Sequence, residues 1–308
     1  MSLTEKVKKL ALKSDIDFVG IASVDRFANA PKGHKPDEIL PNAKSVISIG
    51  IRMNRGPLLT QRIALSDKKL RHIAFSYRWY AYGLENQYFL DRAAFLITKL
   101  LEKEGEIAMP IVTSGVEGEE GEEIMALFSN RHAAVAAGLG EIGWNGLCLT
   151  PNYGPRQRFS SIITTADLKP DPMYQGPKLC DLKKCVELGQ GIPICVKLCP
   201  LGVFSTNKSV EAVIGGRKFT YALMDHVTCG LTAGSGIHPL ALGPDSLDIP
   251  KKVTFADMAK IQPKVPAKFV METAIFRRAH ACGVCLLRCP VGADKEIDAI
   301  MKSREEGH

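Results

Sequence analysis

Cysteine is the residue type in this sequence whose number and spacing point to chemistry, since the chain contains nine cysteines. Two segments end alike, with two cysteines separated by three residues and followed by a proline: Cys195–Pro200 and Cys282–Pro290. This ending is typical of proteins that hold two 4Fe-4S clusters, in which the cysteine before the proline binds the cluster that its neighbours do not bind. The pattern therefore predicts a pair of 4Fe-4S clusters.

Applying this crossing rule divides the cysteines into two sets of four, one for each cluster. The first cluster takes Cys180, Cys185, Cys195 and Cys289, although the spacing of the first three departs from the compact ferredoxin run. The second cluster takes Cys199, Cys282, Cys285 and the remaining cysteine of this region, Cys229. Two four-iron clusters need eight thiolate ligands, and these eight cysteines supply that number.

Structural zinc is the alternative, because four thiolates also suit a tetrahedral zinc ion. Zinc sites usually pair two Cys-x-x-Cys units and do not need the repeated Cys-Pro endings, so the pattern favours iron and sulfur. The ninth cysteine, Cys148, lies in the apolar run Gly146–Thr150. It is predicted to be a buried structural thiol.

The elements that must position these residues alternate between helix and strand along the first half of the chain. Ser2 and Glu5 have capping-box spacing and predict a helix over 2–13. An apolar stripe predicts a longer helix over 84–104, ended by Gly105, and a short helix is predicted over 131–137. Branched apolar runs predict strands over 18–24, 45–52, 107–113, 146–150 and 158–165. This alternation predicts an α/β or α+β sheet domain, followed from about residue 176 by a loop-rich cysteine module.

A glycine motif lies just before the cysteine region, where Gly138, Gly140 and Gly143 match the dinucleotide pattern G-x-G-x-x-G. That pattern should leave a strand and open a helix. Here a helical stretch precedes the motif and a strand is predicted after it, so a dinucleotide site is not favoured.

The segment 137–168, AGLGEIGWNGLCLTPNYGPRQRFSSIITTADL, instead resembles the corrinoid-binding region of epoxyqueuosine reductases and reductive dehalogenases. The FVGIAS segment, the helix from YRWYAYGLENQ onward and the paired Cys-Pro motifs extend the resemblance over most of residues 1–300. In the epoxyqueuosine reductases an isolated cysteine between the two motifs completes the second cluster, and Cys229 has that place here.

This resemblance implies an α+β, nitroreductase-like domain over 1–175 that binds cobalamin, and a ferredoxin-like domain over 176–308 that holds the two clusters. The glycines of the segment would allow the backbone to approach a large flat ring closely. The implied cobalamin contacts are Gly138, Leu139, Gly140, Gly143, Asn145, Gly146, Thr150 and Arg156.

The sequence departs from these families at residues that would serve catalysis. Trp144 stands where a basic residue is common, and the acid that epoxyqueuosine reductases use would fall near Thr113 and Ser114. The acidic stretch 116–125 is predicted to be a solvated loop or helix start. Tyr80 is the candidate proton donor, with aromatic packing as its alternative role.

The resulting interpretation is a cobalamin-dependent iron-sulfur reductase that acts on a small molecule or a modified nucleoside and takes electrons from a donor such as ferredoxin or flavodoxin. The alternatives are an iron-sulfur electron carrier, a reductive activator of another corrinoid protein, and a flavin-dependent reductase. The formal net charge is +7, and about +3 remains when two clusters of about −2 each are counted. This charge is compatible with a nucleic-acid partner such as tRNA but does not indicate one. Because no run approaches the roughly 18 apolar residues of a membrane span and no secretory signal is visible, we expect a cytoplasmic protein without a membrane partner.

Overall fold

The computed structural model describes residues 1–113, 126–234, 252–261 and 282–306. The chain divides into two compact units, each assembled from separate stretches of sequence. Unit 1 comprises Met1–Arg52, Glu85–Asp181 and Ser209–Ala222, and unit 2 comprises Met53–Leu84, Leu182–Lys208 and Leu223–His308. The predicted domains, 1–175 and 176–308, are each one continuous stretch. Unit 1, in contrast, includes residues of the second predicted domain, and unit 2 includes residues of the first.

Helices and strands occur in both units, so the described part of the chain has the mixed fold that the sequence predicts. The helices are α1 (Leu3–Lys13), α2 (Pro36–Ile39), α3 (Arg55–Ser66), α4 (Phe75–Arg78), α5 (Asp91–Lys103), α6 (Asn130–Ala136), α7 (Leu182–Leu188), α8 (Ile194–Lys197), α9 (His226–Gly234), α10 (Phe255–Ile261), α11 (Val284–Leu287) and α12 (Lys295–Glu306). The strands are β1 (Phe18–Ser23), β2 (Ser45–Arg52), β3 (Ala108–Ile111), β4 (Glu141–Ile142), β5 (Cys148–Leu149), β6 (Gln157–Thr164), β7 (Phe204–Ile214) and β8 (Arg217–Met224).

The central element of unit 1 is an antiparallel sheet in the order β1-β2-β6-β3. One face carries Ile47 and Ile162 and packs against α1 and α5, while the other carries Val46 and Ile163 and packs against α6. Side chains alternate between the faces because successive residues of a strand point to opposite sides. Each of these isoleucines is fully buried, which stabilises the fold by about 1.5–3 kcal/mol per side chain.

The predicted helix and strand positions in this unit are confirmed, with one difference. Helix α1 begins with the predicted capping box, in which the Glu5 N–H donates to Ser2 Oγ (3.2 Å) and the Ser2 N–H donates to Glu5 Oε2 (2.8 Å). The helix predicted over 84–104 is different, since α5 begins only at Asp91 and a π-helix occupies Trp79–Leu90. The wider π-helix does not follow the 3.6-residue period on which the prediction rests.

In unit 2, ion pairs tie α3 to the C-terminal helix α12. Arg55 donates to Asp294 (2.5 Å) and Glu296 (2.6 Å), and Arg62 pairs with Asp298. Strands β7 and β8 form a two-stranded hairpin between Cys199 and Cys229, and its residues Ser209–Ala222 belong to unit 1. Among the described residues, no helix has the length and apolar character needed to cross a membrane.

Candidate metal centre and cofactor segment

The four cysteines predicted to hold the second cluster lie near one another in unit 2. Burial raises the pKa of the Cys282 thiol, and the neighbouring thiols of Cys285, Cys229 and Cys199 raise it further. The pKa of Cys229 is raised to about 11, first by burial and then by Cys199. All four cysteines are half-buried. A group of four neighbouring thiols removed from water is costly to ionise without a cation, and a bound cluster takes the place of the protons.

The loop that carries Cys282 is fixed by neighbouring residues of unit 2. The Val284 N–H donates to the Cys282 sulfur, which lowers the pKa of that thiol, and the Gln61 side-chain amide donates to the Cys282 carbonyl oxygen (2.9 Å). Gly283 between them has a left-handed φ of 71°. A Cβ there would lie 2.1 Å from the hydroxyl oxygen of the buried Tyr77, so only glycine fits.

Cys229 lies in the first turn of α9, next to a carboxylate that caps this helix. Asp225 accepts hydrogen bonds from the Thr228 N–H (2.9 Å) and from the Thr228 hydroxyl (2.8 Å). Its charge also acts on Cys229 and raises the pKa of that thiol, after burial and Cys199. Helix α8 ends at Lys197, two residues before Cys199, and Cys199 is followed by Pro200.

The four cysteines predicted for the first cluster lie in different elements. Cys180 is in the last residues of the Glu85–Asp181 stretch of unit 1, where its Sγ accepts a hydrogen bond from the Trp144 N–H (3.4 Å). Cys185 is on α7, Cys195 is on α8, and Cys289 follows α11. This ligand set stays a prediction.

Within the four described ranges, no three Cys, His, Asp or Glu side chains converge as the ligands of a single ion would. In a 4Fe-4S cluster four cysteines share a four-iron cube, so their sulfurs are spread more widely than around one ion. The mutual influence of the four thiols around Cys282 fits such a wider site.

The elements next to the glycine segment lie in the predicted order, with a helix before it and strands after it. Helix α6 precedes Gly138, and the short hairpin of β4 and β5 follows it. This is the reverse of the strand-then-helix order of a dinucleotide site, so the reason for not favouring dinucleotide binding is confirmed.

The contacts around Gly138, Gly140 and Gly143 give a reason for these glycines other than the close approach of a flat ring. A Cβ at Gly140 would lie 1.9 Å from the Leu149 carbonyl oxygen, and one at Gly138 would lie 2.1 Å from the Pro172 carbonyl oxygen. A Cβ at Gly143 would lie 2.8 Å from the Leu149 side chain. The space freed by these three glycines is thus filled by the chain itself and not left open to a flat ring.

The other predicted cobalamin contacts are mostly buried, and several bond within the chain. The Asn145 side-chain oxygen accepts from the Leu147 N–H (3.1 Å), and the Thr150 hydroxyl donates to Gln157 Oε1 (3.3 Å). Arg156 is buried, with a guanidinium nitrogen 3.4 Å from the Tyr153 carbonyl oxygen. Leu139 is half-buried, and Gly146 has a left-handed φ of 70°. These bonds hold the side chains of Asn145 and Thr150 within the segment. The assignment of all of these residues to cobalamin stays a prediction.

A half-buried arginine that was not predicted from the sequence lies beside Gly146. Arg131 donates to the Gly146 carbonyl oxygen (2.7 Å), and burial lowers the pKa of Arg131. Burial, with a smaller contribution from Arg131, lowers the pKa of His132 to about 4. The His132 Nδ1 lies 2.6 Å from Ser129 Oγ, while its buried Nε2 has no hydrogen-bond partner within the described residues.

A carboxylate lies next to the position where the related enzymes' acid was expected. The Thr113 hydroxyl donates to Asp91 Oδ1 (2.6 Å), at the start of α5. Asp91 was missed because it is 22 residues earlier in the chain and has no motif of its own. Ser114 and the acidic stretch 116–125 lie outside the described residues.

Tyr80, the predicted proton donor, lies in the π-helix of Trp79–Leu90 and its stretch belongs to unit 2. Its side chain is 43% exposed. Its role as a donor stays a prediction.

Comparison with known proteins supports the resemblance. No family model matches the chain. Tetrachloroethene reductive dehalogenases of Desulfitobacterium hafniense and Dehalobacter restrictus are 47% identical over 57 residues, which is 18% of this chain and 10% of each relative.

Two solved structures match nearly the whole chain. A crystal structure of selenomethionine-labelled epoxyqueuosine reductase matches with a TM-score of 0.51 and 16% identity, over 94% of this chain and 65% of that chain. The catabolic reductive dehalogenase NpRdhA in complex with 3-bromo-4-hydroxybenzoic acid matches with a TM-score of 0.50 and 17% identity, over 92% of this chain and 37% of that chain.

The chain therefore spans less than two thirds of each of these relatives. At such identities a structural match concerns the fold, and here the matched folds are those of two groups of reductases. The predicted resemblance to both groups is thus confirmed, and the chain has the fold that epoxyqueuosine reductases and reductive dehalogenases share.

Proposed function

We propose that this chain is a reductase that uses cobalamin and two 4Fe-4S clusters to reduce an organic substrate. The observation that carries the proposal is the group of four thiols around Cys282, in a chain that shares its fold with two groups of reductases. In this proposal, residues 1–175 form a nitroreductase-like cobalamin domain. Residues 176–308 form a ferredoxin-like domain with the eight cysteine ligands.

In this proposal the cysteines hold clusters that pass electrons one at a time, and cobalamin supplies the reducing chemistry at the substrate. Main-chain groups of residues 138–146 would provide contacts to cobalamin, because the side chains of Asn145 and Thr150 bond within the chain. Partial burial of Cys282 would limit the access of water to the second cluster, and solvent exposure is one determinant of cluster potential.

The decisive experiment counts iron, sulfide, cobalt and flavin per chain in protein purified without oxygen and supplied with cobalamin. We expect about eight irons per chain, since two four-iron cubes are proposed, together with one cobalt. Iron without cobalt, and no cobalamin binding, would replace the proposal with an electron carrier or an activator of another corrinoid protein. Flavin absorbance would replace it with a flavin-dependent reductase.

The substrate is proposed to be a small molecule or a modified nucleoside, with epoxyqueuosine in tRNA less favoured. Opening an epoxide leaves an oxygen that must be protonated, and a positioned acid contributes about a hundredfold or more to such a step. Thr113 cannot serve as that acid by itself, because its hydroxyl donates to Asp91. The Asp91 carboxylate is the group at this position that could take part in proton transfer.

The test of the substrate assignment is anaerobic turnover of epoxyqueuosine-containing tRNA by the cobalamin-loaded protein with a strong reductant. We expect little turnover compared with a genuine epoxyqueuosine reductase. Comparable rates would refute this expectation, and a loss of those rates in Asp91→Asn would identify Asp91 as the acid. Ferredoxin and flavodoxin are the proposed donors, and cytoplasm is the proposed location.

A further inference from the structure

The peptide group of Trp144 is held on both sides by other segments of unit 1. Its N–H donates to Cys180 Sγ (3.4 Å), and its carbonyl oxygen accepts from the Ala222 N–H (2.9 Å). Trp144 lies in the turn between β4 and β5, and Ala222 lies on β8. The N–H is therefore aimed at the sulfur by backbone contacts, whatever the side chain of residue 144.

The turn that contains Trp144 is itself rigid. The Gly143 N–H donates to the Leu147 carbonyl oxygen (2.8 Å), and the Gly146 N–H donates to the Gly143 carbonyl oxygen (2.9 Å). The Asn145 side chain closes the turn by accepting from the Leu147 N–H (3.1 Å). These bonds fix the Trp144 N–H direction before any cofactor binds.

The chain just before Cys180 is fixed to the same hairpin. The Leu179 N–H donates to Glu141 Oε2 (2.9 Å), and Arg217 of β8 donates to Glu141 Oε1 (3.0 Å). Glu141 is 9% exposed and lies on β4, so its carboxylate links β8, β4 and the segment that leads to Cys180. Two independent hydrogen bonds thus place Cys180 against the turn.

A hydrogen bond to a cluster sulfur stabilises the reduced cluster, which carries more negative charge, and so raises its reduction potential. We propose that Trp144 is a positioning residue whose backbone N–H holds the Cys180 thiolate and raises the reduction potential of the first cluster. The inference rests on the proposed function, specifically on Cys180 as an iron ligand. It adds a direct link between that cluster and the segment proposed to meet cobalamin.

Selective isotope labelling tests the contact in the natural sequence. The chain has two tryptophans, Trp79 and Trp144, so tryptophan with nitrogen-15 at its amino nitrogen labels only two backbone amides. Pulsed paramagnetic resonance of the reduced protein should detect a nitrogen-15 coupling to a cluster. The coupling should persist in Trp79→Phe and vanish in Trp144→Phe, which keeps the N–H but removes the label.

A second measurement tests the effect on potential. Trp144→Pro removes the N–H, whereas Trp144→Ala removes only the side chain. In a redox titration followed by paramagnetic resonance, one cluster of Trp144→Pro should have a lower potential than in Trp144→Ala, and the other cluster should be unchanged. Equal potentials, or absence of the coupling in the natural sequence, would overturn the inference.

Failure of the proposed function gives a different result. If Cys180→Ala keeps all of its iron, the ligand assignment is wrong and the proposed function loses its first cluster site. If Cys180→Ala loses one cluster but the nitrogen-15 coupling is absent, the ligand assignment stands and the role of Trp144 is refuted. The labelling experiment does not depend on Trp144→Pro folding correctly.

Discussion

At the scale of single residues, the buried Cys148 and the half-buried Cys282 have different neighbours. Burial raises the pKa of both Cys148 and Cys282. Cys282 interacts with three further thiols and accepts from the Val284 N–H, whereas the charged neighbour of Cys148 is Arg131. A buried thiol without a metal stays protonated, so Cys148 is suited to packing and Cys282 to ligation.

Replacing one cysteine of each kind should separate these roles. Cys229→Ala should lose or convert one cluster, because a four-iron cube needs its fourth thiolate. Cys148→Ala should keep all of its iron and lose about 1 kcal/mol of stability for the cavity that it leaves. Iron analysis and paramagnetic resonance of the reduced proteins distinguish the outcomes. An unchanged spectrum in Cys229→Ala would contradict the ligand assignment, as would iron loss in Cys148→Ala.

The carboxylate beside Cys229 should set the potential of the second cluster. Asp225→Asn keeps an N-cap acceptor for Thr228 but removes the negative charge, so reduction of the cluster should become easier and its potential should rise. Redox titration measures the change. The matched control is Asp257→Asn, since Asp257 also bonds a threonine near a helix start but has no cysteine among its charged neighbours. A shift of the same size in both variants would argue against a local effect.

The grouping of Cys199, Cys229, Cys282 and Cys285 could be predicted from their spacing along the chain, and these four cysteines lie near one another in unit 2. Their role as cluster ligands stays a prediction. Asp225, Glu141 and Asp91 could not be predicted, because each meets its partner only through the fold. Glu141 and Leu179, for example, are 38 residues apart. A carboxylate in a sequence gives no sign of the backbone N–H groups that it will accept from.

At the scale of elements, the first turn of α6 contains a histidine, His132, that is costly to protonate in the folded chain. His132 is buried beside Arg131 and the ring of Tyr221 (6.2 Å between ring centres), with Ser129 as its one hydrogen-bond partner in the described chain. Neither of these neighbours is acidic, so neither stabilises a proton on His132. The helix is therefore built with a neutral imidazole.

This arrangement predicts a stability that falls in acid. The pKa of His132 is about 4 in the folded chain, below its ordinary value of 6.5, so between these values the unfolded chain binds a proton that the folded chain does not. Between about pH 6.5 and about 4 the unfolding free energy should fall by up to about 1.4 kcal/mol per pH unit, and the fall should end where the folded chain also binds the proton. Denaturant unfolding of wild type and His132→Gln, from about pH 7.5 to about 5.5, should show this slope only in the wild type. An equal slope in both proteins would contradict the prediction, and His34→Gln serves as the control.

The helix over 84–104 shows which features of an element the sequence can and cannot predict. The stripe that includes Ala93 and Ile97 is buried as predicted, since α5 has the ordinary 3.6-residue period. The preceding residues Trp79–Leu90 form a π-helix, whose hydrogen bonds span five residues. An apolar and aromatic run has no pattern that distinguishes these two periods, and so the boundary was placed wrongly.

At the scale of the whole molecule, the core of unit 1 depends on a hairpin from the cysteine-rich half of the chain. Ile214 and Phe219 of β7 and β8 are buried in the same core as Ala133 and Val135 of α6. Neither strand of this hairpin was predicted from the sequence. Its strands are polar on their exposed face and lie between two cysteine motifs, where the composition indicated loops.

A fragment that ends at the predicted domain boundary should therefore not fold well. Residues 1–175 lack Ile214 and Phe219, and exposing their place in the core costs several kcal/mol. We expect this fragment to bind a hydrophobic dye and to lack near-ultraviolet circular dichroism. A fragment of residues 1–224, which keeps the hairpin, should bind much less of the dye and should show near-ultraviolet circular dichroism. Similar dye binding by the two fragments would show that the hairpin is dispensable.

The place of the hairpin in the sequence also sets an order of events during synthesis of the chain. The ribosome releases the sheet, α6 and the turn at Trp144 well before it releases Ser209–Ala222. Until then the growing chain exposes the apolar surface that Ile214 and Phe219 will cover, which makes it a target for chaperones and prone to aggregate. Cys180, Cys185, Cys195 and Cys199 emerge in the same interval, so in the proposed function four of the eight ligand thiols are synthesised before the core of unit 1 is complete.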